Sequence, residues 1–277
     1  AKRIMAVLNT ETSIENHPGN AQTDSGSGEH SVIFEHVDFV YPDGEEAVLK
    51  DISFSAKSGE TVAFIGSTGS GKSSLIQLIP RFYDRASGNI YIDGQKIEDL
   101  DINALRSKIG FVPQKAHLFS GTIEENIRFG KPDATMDEII HAAKIAQAYD
   151  FIMEKPHQFQ EQIVEGATNI SGGQKQRLSI ARALIRKPEI YIYDDSFSAL
   201  DFKTDARLRK ALKPEIKNAI VFLVAQRVST ILDADKIVVL DEGKIAGIGT
   251  HRELLASCPI YYEIAASQLS KEELTYA

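Results

Sequence analysis

Eight consecutive residues constrain this chain more than any others: Gly66-Ser-Thr-Gly-Ser-Gly-Lys-Ser73. They fill every fixed position of G-x-x-x-x-G-K-[ST], between the apolar run Thr61–Ile65 and a helix expected over Gly71–Tyr83. Each residue type has a physical job. Gly66, Gly69 and Gly71 let the backbone curl until successive N–H groups point inward at phosphate oxygens. Ser67, Thr68, Ser70 and Ser74 belong to the same cradle, and the helix N-terminus adds unpaired donors and partial positive charge. Lys72 is placed to reach the β- and γ-phosphates of a nucleotide, and the Ser73 hydroxyl to ligate Mg²⁺. By average composition the pattern arises by chance in about one chain of this length in a hundred. An ordinary Gly-Ser loop would not need a strand before it and a helix after it.

Two further segments answer to this loop. Ile190-Tyr-Ile-Tyr-Asp194 is a buried-type strand ending in acid, which supplies the carboxylate, Asp194, that a bound metal needs. An Asp in that place is often only a turn former; beside a phosphate loop it has more to do. Ile170-Ser-Gly-Gly-Gln174 precedes a helical stretch over Lys175–Arg186. Ser171, Gly172, Gly173 and Gln174 make either a plain helix cap or a second anion site at a helix start. Both motifs together arise by chance in about one chain in ten thousand.

The rest of the chain is punctuated as an α/β domain. Fully apolar strands at Thr61–Ile65, Ile190–Tyr193, Ala219–Ala225 and Lys236–Leu240 alternate with helical patterns, which implies a parallel sheet covered on both faces. The mixed strands near Val32–Tyr41 and Val48–Ala56 suggest an antiparallel layer beside it, and the stretch from Thr122 to Arg186 has helical periodicity. Residues 1–30 end in Asp24-Ser-Gly-Ser-Gly-Glu29, a connector without apolar periodicity, so the compact domain is expected from Ser31. The 277 residues carry a formal net charge of −8, which opposes a broad nucleic-acid footprint. The one cysteine, Cys258, cannot form an internal disulfide; it suits a reducing compartment and reads as a small buried apolar residue. No segment reaches the ~18 apolar residues of a membrane-spanning helix. The chain opens on Ala1 rather than Met, without a secretory signal, and is expected to be a piece of something longer.

Taken together, these motifs resemble the nucleotide-binding domain of an ATP-binding-cassette (ABC) exporter, over about residues 31 to 267. The resemblance implies an α/β phosphate-loop core with a mostly parallel sheet, an antiparallel β-subdomain and a helical subdomain carrying the signature. On that pattern 1–30 is a linker after a transmembrane domain. Residues 31–115 are the β-layer and core, 116–187 the helical subdomain, and 188–277 the rest of the core with the C-terminal helices. Ser171-Gly-Gly-Gln174 corresponds to the signature, which binds the γ-phosphate of ATP held by the opposite subunit. Tyr41, ending Val37-x-Phe39-x-Tyr41-Pro, resembles the aromatic that stacks on adenine. Gln114 resembles the glutamine near Mg²⁺ and the attacking water, and Ser198-Ala-Leu-Asp201 the loop through which two domains sense each other. Leu118-Phe-Ser-Gly-Thr-Ile-Glu-Glu-Asn-Ile127 and Glu165 are similar to the exporter branch. The implied ligands are ATP and Mg²⁺. The implied partners are a transmembrane domain in cis and a second nucleotide-binding domain, at the cytoplasmic face of a membrane, with no nucleic acid.

Two positions depart from that pattern. Asp195 stands where the family has Glu as general base, and Gln226 in Ala225-Gln226-Arg227 stands where it has a histidine. Asp is one methylene shorter, and a misplacement of about 1 Å can cost on the order of 100-fold in rate. Gln226 donates a hydrogen bond but carries no charge and relays no proton. The expectation is a site that binds ATP well and hydrolyses it slowly, as in the degenerate half of a heterodimeric multidrug-type exporter. A slow homodimer, a cassette ATPase outside transport and an ATP-dependent dimerisation sensor stay open.

Overall fold

The computed structural model describes Met5, residues 14–16, residues 30–270 and Leu274. The helix-compatible opening and the Gly/Ser connector therefore lie outside the described residues, apart from those few positions.

Among the described residues, twelve strands form three sheets. β1 (Ser31–Phe39), β2 (Leu49–Lys57), β4 (Ser87–Ile92) and β5 (Gln95–Lys96) pair antiparallel in the order β2-β1-β4-β5. The central sheet has the order β12-β11-β3-β10-β9-β6, built from β3 (Thr61–Gly66), β6 (Ile109–Val112), β9 (Ile190–Asp194), β10 (Ile220–Val224), β11 (Lys236–Asp241) and β12 (Lys244–Gly249). Its pairings are parallel except β11 with β12. β9 and β10 are buried at every position. Alternate side chains explain why: Val62, Phe64, Ile192 and Phe222 enter one core, while Ala63, Ile65, Tyr193 and Leu223 enter the other. The first core lies against the antiparallel layer, where Phe54 meets Phe64 edge-on at 5.4 Å. The second is covered by helices. Strands buried on both faces must be apolar throughout, which is the pattern in the sequence.

The helices with described bounds are α1 (Lys72–Leu78), α2 (Ile102–Ser107), α3 (Ile123–Arg128), α4 (Met136–Ile145), α5 (Tyr149–Met153), α6 (Gly172–Leu184), α7 (Phe202–Glu215), α8 (His251–Ser257) and α9 (Pro259–Ala266). The helix expected to reach Tyr83 stops at Leu78. Pro80 has no N–H to continue the ladder, and Arg81 turns left-handed at φ 52, with the Phe82 N–H bonding back to the Gln77 carbonyl at 3.1 Å. The segment read as helical from Thr122 also holds a short ladder, β7 (Gly121–Thr122) with β8 (Gln162–Ile163). Two-residue strands leave no period to read. Cys258 is buried, as expected.

Candidate functional site

The parallel sheet decides where chemistry can occur. β3, β6, β9 and β10 run the same way, so their C-terminal ends bring the phosphate loop, Gln114, Asp194 and Gln226 to one edge. Gly66 closes β3, and a Cβ there would lie 2.0 Å from the Leu240 carbonyl oxygen, so nothing but glycine fits. Gly71 caps α1 at φ 98 and offers no side-chain cap. The first-turn N–H groups of α1 are thus left to an outside acceptor, as an anion cradle requires. Ser67, Thr68 and Gly69 form the exposed rim, while Ser70 is buried.

Lys72 lies folded into this loop. Its Nζ donates to the carbonyls of Gly66 (2.9 Å) and Ser67 (2.7 Å) and to Ser70 Oγ (3.1 Å). Burial lowers its pKa, against the pull of Asp195 and Asp194. Ser73 Oγ donates to Asp194 Oδ1 at 2.9 Å, joining α1 to the end of β9. Burial pushes Asp194 above the ordinary carboxylate range despite that bond and the Lys72 charge, and Asp195 adds to the push. A hydroxyl and a carboxylate oxygen side by side, in a corner that penalises negative charge, fit a hard divalent cation such as Mg²⁺.

Asp195 sits in the left-handed backbone region at φ 47, which Asp tolerates better than most residues. Its N–H is held by the Val224 carbonyl (3.0 Å), and the next residue, Ser196, donates to the Val112 carbonyl (2.8 Å). The carboxylate gathers the other two catalytic candidates: Gln226 Nε2 donates to its Oδ2 at 2.7 Å and Gln114 Nε2 to the same oxygen at 3.2 Å. Burial raises its pKa, opposed by the Gln114 bond and by the charges of Arg227 and Lys72. Tyr41 is half-buried beside α1, its hydroxyl 2.8 Å from Ser74 Oγ and its ring edge-on to Phe39 and Tyr83.

Ser171 is an N-cap with a complete capping box. Gln174 N–H donates to Ser171 Oγ (3.3 Å), and Ser171 N–H to Gln174 Oε1 (3.1 Å). Gly172 is exposed, with open space where a Cβ would point, and Gly173 lies against the Ala199 carbonyl. No hydrogen bond or ion pair among the described residues joins 171–174 to 66–74. The structure brings together one set of motifs and leaves the other facing outward.

One residue of this corner gives no signal in the sequence. Gln268, beyond α9, donates from Nε2 to the Gln226 carbonyl (2.9 Å) and accepts the Val228 N–H at Oε1 (2.8 Å). It braces the backbone of the Gln226 loop from 42 residues away, a span that no periodicity or spacing rule covers.

Fold and site define a phosphate-loop nucleotide-binding α/β domain. Residues 49–198 match the ABC transporter family. The chain belongs to that family. It is 46% identical over 270 residues to an uncharacterized ABC transporter ATP-binding protein of Bacillus subtilis, covering 98% of this chain and 46% of that protein. It is 45% identical over 265 residues to a Staphylococcus aureus protein named "Putative multidrug export ATP-binding/permease protein", covering 96% of this chain and 46% of the other. A solved bacterial Atm1-family ABC exporter with ATP bound superposes with a TM-score of 0.91 at 35% identity, over 98% of this chain and 47% of that one. The chain thus spans about half the length of these relatives. No helix among the described residues is long and apolar enough to cross a membrane.

Proposed function

We propose that this chain is the ATP-binding and ATP-hydrolysing motor of an exporter, closing head-to-tail on a second such domain around MgATP and driving a transmembrane domain joined to it. The observation that carries this reading is the uncapped phosphate loop, with buried Lys72 inside it, set beside the Ser73–Asp194 pair at the ends of parallel strands. Lys72 exchanges the loop's own carbonyls for the β- and γ-phosphates, and the first-turn N–H groups of α1 bind the remaining oxygens. Ser73 and Asp194 would hold Mg²⁺, which neutralises phosphate charge in the transition state. Tyr41 offers its ring to the base. The ATP-bound state of the Atm1-family neighbour and the permease half of the Staphylococcus aureus relative support the nucleotide and the membrane partner respectively. Phe119 and Phe129, exposed and 4.7 Å apart, present an apolar face suited to that partner.

Hydrolysis at this chain's own site is proposed to be slow, and the partner domain to be a non-identical subunit with complete catalytic residues. Asp195 must accept a proton from the attacking water, yet one of its oxygens already takes two amide donors. Those donors favour the ionised form, against the burial that raises its pKa, and they occupy the oxygen that the water would approach. Gln226 cannot supply the positive charge a histidine would. The test is MgATP affinity and steady-state turnover of the purified chain, alone and with Asp195→Glu and Gln226→His. Tight binding with turnover far below one per second is expected. In a confirmed dimer the double variant should exceed the product of the single effects, since base and switch share a transition state. Turnover of several per second in the parent, or no gain in the double variant, defeats the slow-site reading. Absence of MgATP binding defeats the motor itself.

A further inference from the structure

Among the clefts on this domain are two of about 580 and 610 Å³, and no phosphate-loop residue lines either one. The second lies beneath α7, against β9, β10 and the loop before β11. Its volume is that of a pocket for a drug-sized molecule. Its floor is apolar, formed by Phe197, Leu212 and Leu223 together with Tyr193. Tyr193 is 1% exposed, and its hydroxyl has no hydrogen-bond partner among the described residues. Buried hydroxyls are nearly always bonded, because leaving one unmet is costly.

The rim is cationic. Arg209, Lys210, Lys213 and Lys217 line it, against Asp233 and Asp235. Arg209 is engaged by Asp205 at 3.1 Å, and Asp235 by the Thr61 N–H at 2.8 Å. Lys210, Lys213 and Lys217 are exposed and have no ion pair among the described residues. Three free ammonium groups around an apolar floor, on a chain of net charge −8, mark a local reversal of sign.

We infer that this cleft binds a small amphipathic organic anion. Its apolar body lies on Phe197, Leu212 and Leu223, its carboxylate or sulfonate meets Lys210, Lys213 and Lys217, and a polar atom at its far end accepts from Tyr193. Tyr193 and Phe197 flank Asp194 and Asp195 in the chain, so such a ligand sits behind the nucleotide corner without entering it.

The test is calorimetric titration of the whole chain, with MgATP saturating, using dodecanoate, 12-hydroxydodecanoate and dodecylammonium below their aggregation limits. Both anions should bind one to one and the ammonium should not. Lys213→Glu with Lys217→Glu, on the exposed rim, should weaken both anions by about tenfold or more. The hydroxylated anion should bind about fivefold tighter than dodecanoate, and Tyr193→Phe should erase that preference. The chain has no tryptophan, so Ala206→Trp, at the cleft wall, gives a unique fluorophore whose emission should follow the titration. Equal binding of the ammonium, indifference to the charge reversals, or a hydroxyl preference that survives Tyr193→Phe would each overturn the assignment.

Discussion

The phosphate loop and the Ser171–Gln174 segment are both glycine-rich starts of helices, and they are finished differently. The first has no side chain at its cap position, so the N–H groups of α1 lack an internal partner, and Lys72 occupies the curl of the loop. The second is closed on itself: Ser171 and Gln174 satisfy each other's backbone, and Gly172 faces open space. Yet the Ser171 hydroxyl only accepts in that box, so its proton remains free to donate. One segment is half of a pocket within its own chain; the other is a finished surface with a donor held in reserve for something outside. On the proposed function, that difference is what would let one chain contribute to two nucleotide sites, holding one ATP and covering another.

The largest effect should come from damaging the first segment. Gly71→Val puts a branched side chain at φ 98 and drives its Cβ to 2.6 Å from Leu49 Cδ2. Strain of about 1–3 kcal/mol is expected, and MgATP affinity should fall by about 100-fold or more, read by equilibrium binding alongside a thermal melt. Near-normal affinity would show that the loop tolerates a residue its backbone forbids.

Next in size is Gly172→Glu. Open space at that position means folding and MgATP affinity should stay unchanged. A carboxylate facing phosphate should nevertheless remove most of the ATPase activity of a reconstituted pair, by about 100-fold. Lys72→Ala in the same pair should slow the cycle less if, as proposed, the site it serves rarely turns over. Equal losses, or a larger loss from Lys72→Ala, would mean that this chain's own site powers the cycle.

Asp194→Asn and Asp195→Asn test the cost of the carboxylates at the nucleotide corner. Burial raises both pKa values, so the folded state holds these protons more tightly than the unfolded state does. The penalty is present above the folded pKa and vanishes below the unfolded value. Each variant should therefore stabilise the nucleotide-free chain at pH 7, with the gain fading toward pH 3, while activity is lost. Urea midpoints across that range give the answer; a gain that grows on acidification would reverse the assigned sign. No such trade exists at Ser171, where there is no buried charge.

The smallest effect belongs to Gln268→Ala. Loss of its two bonds to the Gln226 loop should lower turnover about two- to fivefold and leave MgATP affinity alone. A change in affinity with turnover intact would show that it braces binding instead.

Much of this was legible beforehand. Gly66–Ser73, the apolar strands ending at Ile65 and Asp194, and the cap-and-glycine start at Ser171 are local patterns whose chemistry is carried by neighbours in the chain. The alternating burial of β9 and β10 follows from residues two apart, so the two-faced parallel sheet could be anticipated. Boundaries fared worse where a single residue acts, as Pro80 does on α1, and the two-residue strands β7 and β8 are too short to show a period.

By itself, the sequence determined the class of fold and the phosphate loop, because each rests on residue type and short-range spacing; Asp195 and Gln226 stood out only through the resemblance to the ABC family. Only the tertiary structure decided that Gln114 and Gln226 converge on one oxygen of Asp195, and that Gln268 braces the loop behind them. It also decided that Tyr193 ends in a cleft with its hydroxyl unmet. Those meetings join segments tens of residues apart, and they depend on strand order and register, which place the ends of β6, β9 and β10 at one edge. Such long-range placement follows from the packing of the whole sheet, and no local stretch of sequence carries it.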